Sequence, residues 1–238
     1  MKKMLKTALL FLWRIIALLL FGVLMVTGYF AYGGYKMYSD ALAEKSVAEM
    51  AEDIRNRCEF RGYDELPQFY INAVISTEDR SFFTHHGIDI SAICRAILHD
   101  IRVKAPEQGG STITQQLAKN EFFTQEKKLE RKFAEVFMSF KIERELSKED
   151  IFSLYVNSIY FGGGNYGISA AAKGICGKDT GGLTEYECAL LAGLPNAPSV
   201  YAPDSELAER RTEIVLENMW ECGYITDECM REILSEKK

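Results

Sequence analysis

The chain opens on an apolar run. No residue from Ile15 to Tyr32 carries a charge, and the run leading into it from Ala8 is broken only by Arg14. About 20 apolar residues cross the hydrocarbon core of a bilayer, so this stretch predicts a transmembrane helix. Its length, and the lack of a small-x-small site after it, favour a retained anchor over a cleaved signal peptide. Arg14 sits where its stem can reach the headgroups. Past this run the pattern becomes helical. Residues 36–58 predict a polar, helix-prone connector. Pro67, after Asp64 and Glu65, predicts a helix start with Ile71, Val74 and Ile75 as its apolar face. Ile90, Ile93, Cys94, Ile97 and Ile101 repeat at helical spacing over 89–103, as do Leu129, Phe133, Val136, Phe137 and Phe140 further on. Ser147-Lys148-Glu149-Asp150 and Thr184-Glu185-Tyr186-Glu187 read as capping boxes. Gly162-Gly163-Gly164 ends the first of these two helices, and Pro195 lies just past the second. A helix from about Ser205 should stop at Gly223, and Thr226 should cap a last short one. No alternating run predicts a sheet, and no segment repeats. The expected fold class is mainly α, one helical domain after one transmembrane helix.

Charge adds orientation. Lys2, Lys3, Lys6 and Arg14 are the charged residues of the first thirty, and all precede or enter the span. The positive-inside rule then places the N-terminus in the cytoplasm and residues 36–238 outside the plasma membrane. The whole chain holds 28 basic and 34 acidic residues, which leaves 24 and 34 beyond residue 30, a net charge of −10. An acidic body argues against nucleic acid as a partner, so any anion site must be a local cluster. The expected division is a cytoplasmic tip and anchor over 1–35, a connector over 36–61, and one folded domain over 62–238, long enough for a single core. Six cysteines show no zinc spacing. Cys94, Cys176 and Cys188 read as buried small hydrophobes. Cys222 and Cys229 are the pair to test for a bridge.

Four blocks carry the candidate chemistry. They are Glu78-Asp79-Arg80-Ser81-Phe82-Phe83-Thr84-His85-His86-Gly87, then Gly109-Gly110-Ser111-Thr112-Ile113-Thr114-Gln115-Gln116, then Arg131-Lys132-Phe133-Ala134-Glu135, and then Lys148-Glu149-Asp150-Ile151-Phe152-Ser153-Leu154-Tyr155-Val156-Asn157. By itself Glu78 reads as a surface carboxylate at a helix end. Ser111 or Thr112 reads as an ordinary helix cap. Lys127, Arg131 and Glu135, at i, i+4 and i+8, read as a solvated ion-pair ladder. Taken together and in this order, the blocks resemble the family 51 glycosyltransferases, which polymerise peptidoglycan glycan strands. The resemblance covers roughly residues 62–205. One small departure is Ile175-Cys176 before Gly177-Lys178, where relatives carry aromatics.

The resemblance implies a lysozyme-like helical lobe with a smaller lobe near the membrane. It implies an enzyme that joins lipid II units by β-1,4 linkage, inverting the anomeric centre and releasing polyprenyl pyrophosphate. Such a reaction needs a base to activate a sugar hydroxyl and cations to receive a leaving pyrophosphate. Glu78 matches the base. Glu135 matches a second essential carboxylate, and a divalent cation (Mg or Mn) held there is a further implication. Lys119, Lys127 and Arg131 match phosphate or cleft contacts. Ser111, Thr112, Gln115, Gln116 and Arg80 are expected against substrate. Asp79, Phe82, His86, Gly87, Tyr155 and Asn157 are expected to brace the motifs, His86 by holding the loop after Phe83. Asp79 and Arg80 are expected to pair with each other or with the second block, and the side to which Lys132 points stays open. Ile88–Val103 with Phe122-Phe123 reads either as core or as a surface dipping into the bilayer. Expected partners are lipid II, the growing strand, the bacterial membrane, and transpeptidases or other wall-synthesis proteins. The one S-x-x-K is Ser235 to Lys238, with no S-D-N or K-T-G, so a monofunctional enzyme is expected. Two other classes stand beside this reading: a lysozyme-like hydrolase or lytic transglycosylase, and a non-catalytic wall-synthesis scaffold. The cationic residues from Lys119 to Lys132 argue against the first, and Glu78 with Glu135 against the second.

Overall fold

The computed structural model describes residues 2–57, 59–103, 110–124, 128–198, 201 and 205–235. The first helix, α1 (Lys2–Glu44), is 43 residues of uninterrupted helix. At 1.5 Å per residue it is about 64 Å long, roughly twice the hydrocarbon thickness. Its apolar part is long enough to cross a membrane, with a mean hydropathy of 2.6. Its last third has another task. A Cβ on Gly34 would lie 2.4 Å from Phe133 Cβ and 2.7 Å from the Glu130 carbonyl, and one on Gly33 would lie 2.8 Å from Glu130 Cγ. Those partners sit on α6 (Leu129–Glu145). The two helices therefore cross backbone to backbone where α1 leaves its apolar run. Tyr35 and Tyr38 continue the contact against Phe137, with ring centroids 5.7 and 6.0 Å away.

The expected connector is part of the core. Ser46 opens α2 (Val47–Arg55) with a capping box, and Val47, Met50, Ala51 and Ile54 are buried at helical spacing. The polar outer face of α2 dominates its composition, which is why the sequence reads as a linker there. Next come α3 (Gln68–Glu78), started at Pro67, α4 (Ile90–Val103) and α5 (Ile113–Phe122). The next helix after α6 is α7 (Lys148–Ser158), whose residues from Ile151 to Ser158 are all buried. It is capped by the Ser147 hydroxyl accepting from Asp150 N. The box expected there is not formed, because the shorter Asp150 carboxylate takes the Ser147 hydroxyl proton instead.

A short antiparallel hairpin, β1 (Tyr160–Gly162) and β2 (Asn165–Tyr166), turns at the three glycines. The sequence predicts no sheet, and this hairpin is the one sheet among the described residues. The chain finishes with α8 (Ile168–Cys176), α9 (Glu185–Gly193), α10 (Glu206–Glu221) and α11 (Asp227–Ser235). The caps at Thr184, Ser205 and Thr226 form as the sequence predicts. Helix α3 packs between α9 and α10, while α5 packs between α6 and α7. The protein is mainly α. Cys222 and Cys229 are free thiols, so the suspected bridge is not made.

The crossing yields a test. Gly34→Val should overpack the α1–α6 contact and cost about 1–3 kcal/mol, read as a lower Tm of the detergent-solubilised protein. Gly28→Val, where a Cβ meets nothing within 4 Å, should leave Tm nearly unchanged. Equal effects from the two would show that the crossing is not tight.

Candidate active site

Asp79 joins the first two blocks. One of its carboxylate oxygens accepts from Ile113 N at 3.0 Å, the first residue of α5, and from His85 Nε2 at 2.8 Å. Gly87 N donates to His85 Nδ1 at 3.1 Å, which leaves Nε2 as the protonated nitrogen. Thr112 Oγ1 then donates to Gly87 O at 2.7 Å. Gly87 has φ of +100°, and a Cβ there would crowd Ser139, so the tight loop requires glycine. The histidine that braces the loop is thus His85, and His86 is exposed. Counting the motif spacing from Glu78 lands on His85, the signal that should have separated the two neighbours. Phe82 is buried against Phe83, Phe152 and His85. Asn157 braces from the other side, accepting from Arg61 N at 3.0 Å and donating to Arg61 O at 2.8 Å.

Glu78 is the last residue of α3, with a side chain 10% exposed. Its Oε2 accepts from Gln116 Nε2 at 2.7 Å, and Gln116 Oε1 accepts from the Tyr155 hydroxyl at 3.3 Å. Its Oε1 is buried and accepts no hydrogen bond, and Arg211 Nη2 stands 4.0 Å from it. Burial pushes the Glu78 carboxyl above its ordinary pKa, opposed by the Gln116 bond and by Arg211 and Lys119.

The second carboxylate, Glu135, is held between two cations of its own helix. Arg131 binds one oxygen, and Lys132 Nζ binds the other at 2.9 Å while donating to Ser111 Oγ at 2.7 Å. Lys132 therefore turns towards Glu135 and Ser111 while half of its side chain stays exposed. Lys119 connects the two centres. Burial lowers its pKa, and the charges that act on it are Glu135, Arg131, Lys132 and Glu78. Among the described residues no carboxylate lies within ion-pairing distance of its ammonium.

Several expected contacts fall elsewhere. Arg80 turns away: its guanidinium donates to Asn218 Oδ1 at 2.7 Å and Glu221 Oε2 at 2.8 Å, tying α3 to α10, and does not pair with Asp79. Thr112 and Gln115 are buried and consumed by the capping box of α5, so neither presents a side chain to substrate. Gln116 reaches Glu78 and serves it. Lys127 lies outside the described residues. Both oxygens of Glu135 meet cationic groups, and no cluster of three acidic, His or Cys side chains stands among the described residues. Arg211 was not foreseen. Its one signal was the Arg210-Arg211 pair within a helical pattern.

A family model described as Transglycosylase matches residues 44–220. The chain belongs to this transglycosylase family. It is 49% identical over 175 residues to penicillin-binding protein 1A of Aquifex aeolicus, covering 73% of this chain and 24% of that protein. Penicillin-binding protein 1A of Vibrio cholerae is 46% identical over 165 residues, covering 68% and 20%. The chain thus spans about a quarter of the length of the curated relatives it matches. The crystal structure of penicillin-binding protein 1A from Haemophilus influenzae aligns with 53% of this chain and 16% of that one, at 29% identity and a TM-score of 0.36.

Two outcomes check the site. His85→Ala should destabilise the protein by about 1–3 kcal/mol by stripping a donor from buried Asp79, whereas His86→Ala should stay within about 0.5 kcal/mol. Thermal melts of both decide it, and the reverse order would return the brace to His86. Glu78 carries the opposite sign. A carboxyl whose pKa is raised by folding costs stability above its folded pKa, and the cost vanishes as pH falls through that value. Glu78→Gln should therefore raise Tm at pH 8 by about 2–4 °C and give no gain near pH 4. A lower Tm at pH 8 would mean that the charge is not strained.

Proposed function

We propose that the chain is a membrane-anchored peptidoglycan glycosyltransferase that polymerises lipid II into β-1,4 glycan strands. The observation that carries this reading is a buried carboxylate with one unbonded oxygen, linked through Lys119 to the Arg131–Lys132–Glu135 cluster. Glu78 Oε1 takes the proton of the acceptor's 4-hydroxyl. The hydroxyl oxygen attacks the donor's anomeric carbon from the face opposite the pyrophosphate, and the bond to the pyrophosphate breaks with its electron pair on the leaving oxygen. Lys119, Arg131 and Lys132 meet the charge that develops there. One displacement inverts the centre, so an α-linked donor yields a β-linked strand. Glu135 holds Arg131 and Lys132 in place. No step in this scheme calls on a metal ion.

The anchor suits such a substrate. A polyprenyl-linked sugar stays in the bilayer, and a site tied to a transmembrane helix meets it at high effective concentration. The α1–α6 crossing supports this reading, because it sets the helix bearing Arg131 and Lys132 directly beyond the apolar run. The four early cations support a cytoplasmic N-terminus, with the site outside. A transpeptidase partner would crosslink the strands.

The test is incubation of the detergent-solubilised protein with lipid II, resolving products by chain length. Wild type should build polymer. Glu78→Gln should lose at least about 1,000-fold, and Glu135→Gln about 100-fold, in the range seen for lost bases and electrostatic groups. Lys119→Ala should slow the reaction most at limiting lipid II. The rate of wild type should trace a bell against pH, rising as Glu78 ionises at a raised pKa and falling as Lys119 loses its proton at a lowered one. Strand cleavage without polymer would point to a hydrolase, and polymer from Glu78→Gln would remove Glu78 as the base.

A further inference from the structure

We infer that Arg211 is a positioning residue for the reaction, holding Glu78 as an ionised carboxylate with its Oε1 open to the acceptor hydroxyl. This inference rests on Glu78 being the base. The geometry has two parts. Gln116 occupies Oε2 at 2.7 Å, so one oxygen is committed. Arg211 Nη2 stands 4.0 Å from the other, within reach for charge attraction and beyond a hydrogen bond. A guanidinium at hydrogen-bond distance would take the lone pair that must receive the proton. At 4.0 Å it favours the negative charge and leaves that lone pair free.

The placement is built by the fold. Arg211 belongs to α10, which packs on α3, whereas the cation Lys119 belongs to α5. Its stem runs over Gly193 at the end of α9, where a Cβ would come within 2.9 Å of Arg211 Cγ, and its Nε points to Gly193 O at 3.4 Å. The side chain is 15% exposed. The charged and titratable groups facing Glu78 are Arg211 from α10, Lys119 from α5, Asp79 beside it, Tyr70 from α3 and Tyr155 from α7. Of the two cations, Arg211 acts more strongly on Glu78. The cations also divide the work. Lys119 is shared with the Glu135 cluster, where a pyrophosphate would draw on its charge. Arg211 meets no other carboxylate among the described residues and favours the ionised form of Glu78 at the start of each addition. It also favours return of the captured proton to solvent before the next addition.

The experiment is a pH–rate profile of lipid II polymerisation from pH 5 to 9, using the full chain in detergent as wild type, Arg211→Gln, Arg211→Lys and Glu78→Gln. Removing a cation makes Glu78 harder to ionise, so the acid limb of Arg211→Gln should move to higher pH. At pH 6 the loss in kcat/KM should be about tenfold for each unit the limb moves, and it should shrink as pH rises towards 8. Arg211→Lys should return most of the limb. If Arg211→Gln melts early, Arg211→Met, which keeps the stem over Gly193, takes its place. A loss of equal size at every pH, or an acid limb that stays put, overturns the inference and makes Arg211 a packing or substrate residue. Polymer formation by Glu78→Gln would sink the reading of the base itself, whatever Arg211 does.

Discussion

The site depends on one buried oxygen. Asp79 Oδ2 gathers the first N–H of α5 and the imidazole of His85, and so fastens the end of α3 to the start of α5. A carboxylate at a helix N-terminus is favoured by the unpaired N–H groups and by the helix dipole. Here that preference is turned into tertiary structure. Once α5 starts at Asp79, its second turn must bring Gln116 to Glu78 and carry Lys119 one turn further, towards α6. Three consecutive uses of the same helix follow from the one contact: Thr112 caps it, Gln116 bonds Glu78, and Lys119 reaches towards the cationic cluster. The loop closed by His85 and Gly87 then has little freedom, because Thr112 ties its carbonyl back to the cap.

A second constraint sets the height of this assembly. Gly33 and Gly34 let α1 touch the backbone of α6, and a larger residue at Gly34 would push the two helices apart. Arg131 and Lys132 begin one residue after Glu130, which α1 touches. The cations are therefore placed from below by the anchor and from within by Glu135. A flexible linker would let the domain tilt relative to the bilayer. A continuous 43-residue helix leaves no hinge among its described residues between the apolar run and the crossing.

What the sequence shows of this is mostly local. The starts of α7, α9, α10 and α11 were legible because a cap involves residues within four positions of one another. The end of α3 at Glu78 and the cationic face of α6 were legible for the same reason. Some of the failures are long-range. Arg80 and Arg211 look alike along the chain, yet one leaves the site for Asn218 and Glu221 and the other enters it. Which arginine meets Glu78 is decided by how α10 lies on α3, and no spacing along the chain encodes that. Thr112 and Gln115 show the other side of the problem. A residue able to bond a ligand is equally able to bond a helix end, and here the helix end claims both. The polar look of residues 36–58 concealed an apolar stripe on α2, since four buried positions out of nine are enough to seat a helix.

The region around Glu78 also departs from the rule that governs the rest of the interior. Buried polar atoms are normally paired, yet Glu78 Oε1, Thr77 Oγ1 and the Tyr70 hydroxyl lie together along α3 without partners. Each unpaired group costs stability. Neighbouring α7 shows the alternative: Ser153, Asn157 and Ser158 are buried, and each bonds a backbone carbonyl. The contrast falls within one core. A fold able to satisfy Ser153 and Asn157 so fully was able to satisfy Glu78 as well. Its unbonded oxygen is open to a group from outside the chain. On the proposed reading that group is a hydroxyl that gives up its proton, and a permanent hydrogen bond at Oε1 would hold the lone pair the reaction needs.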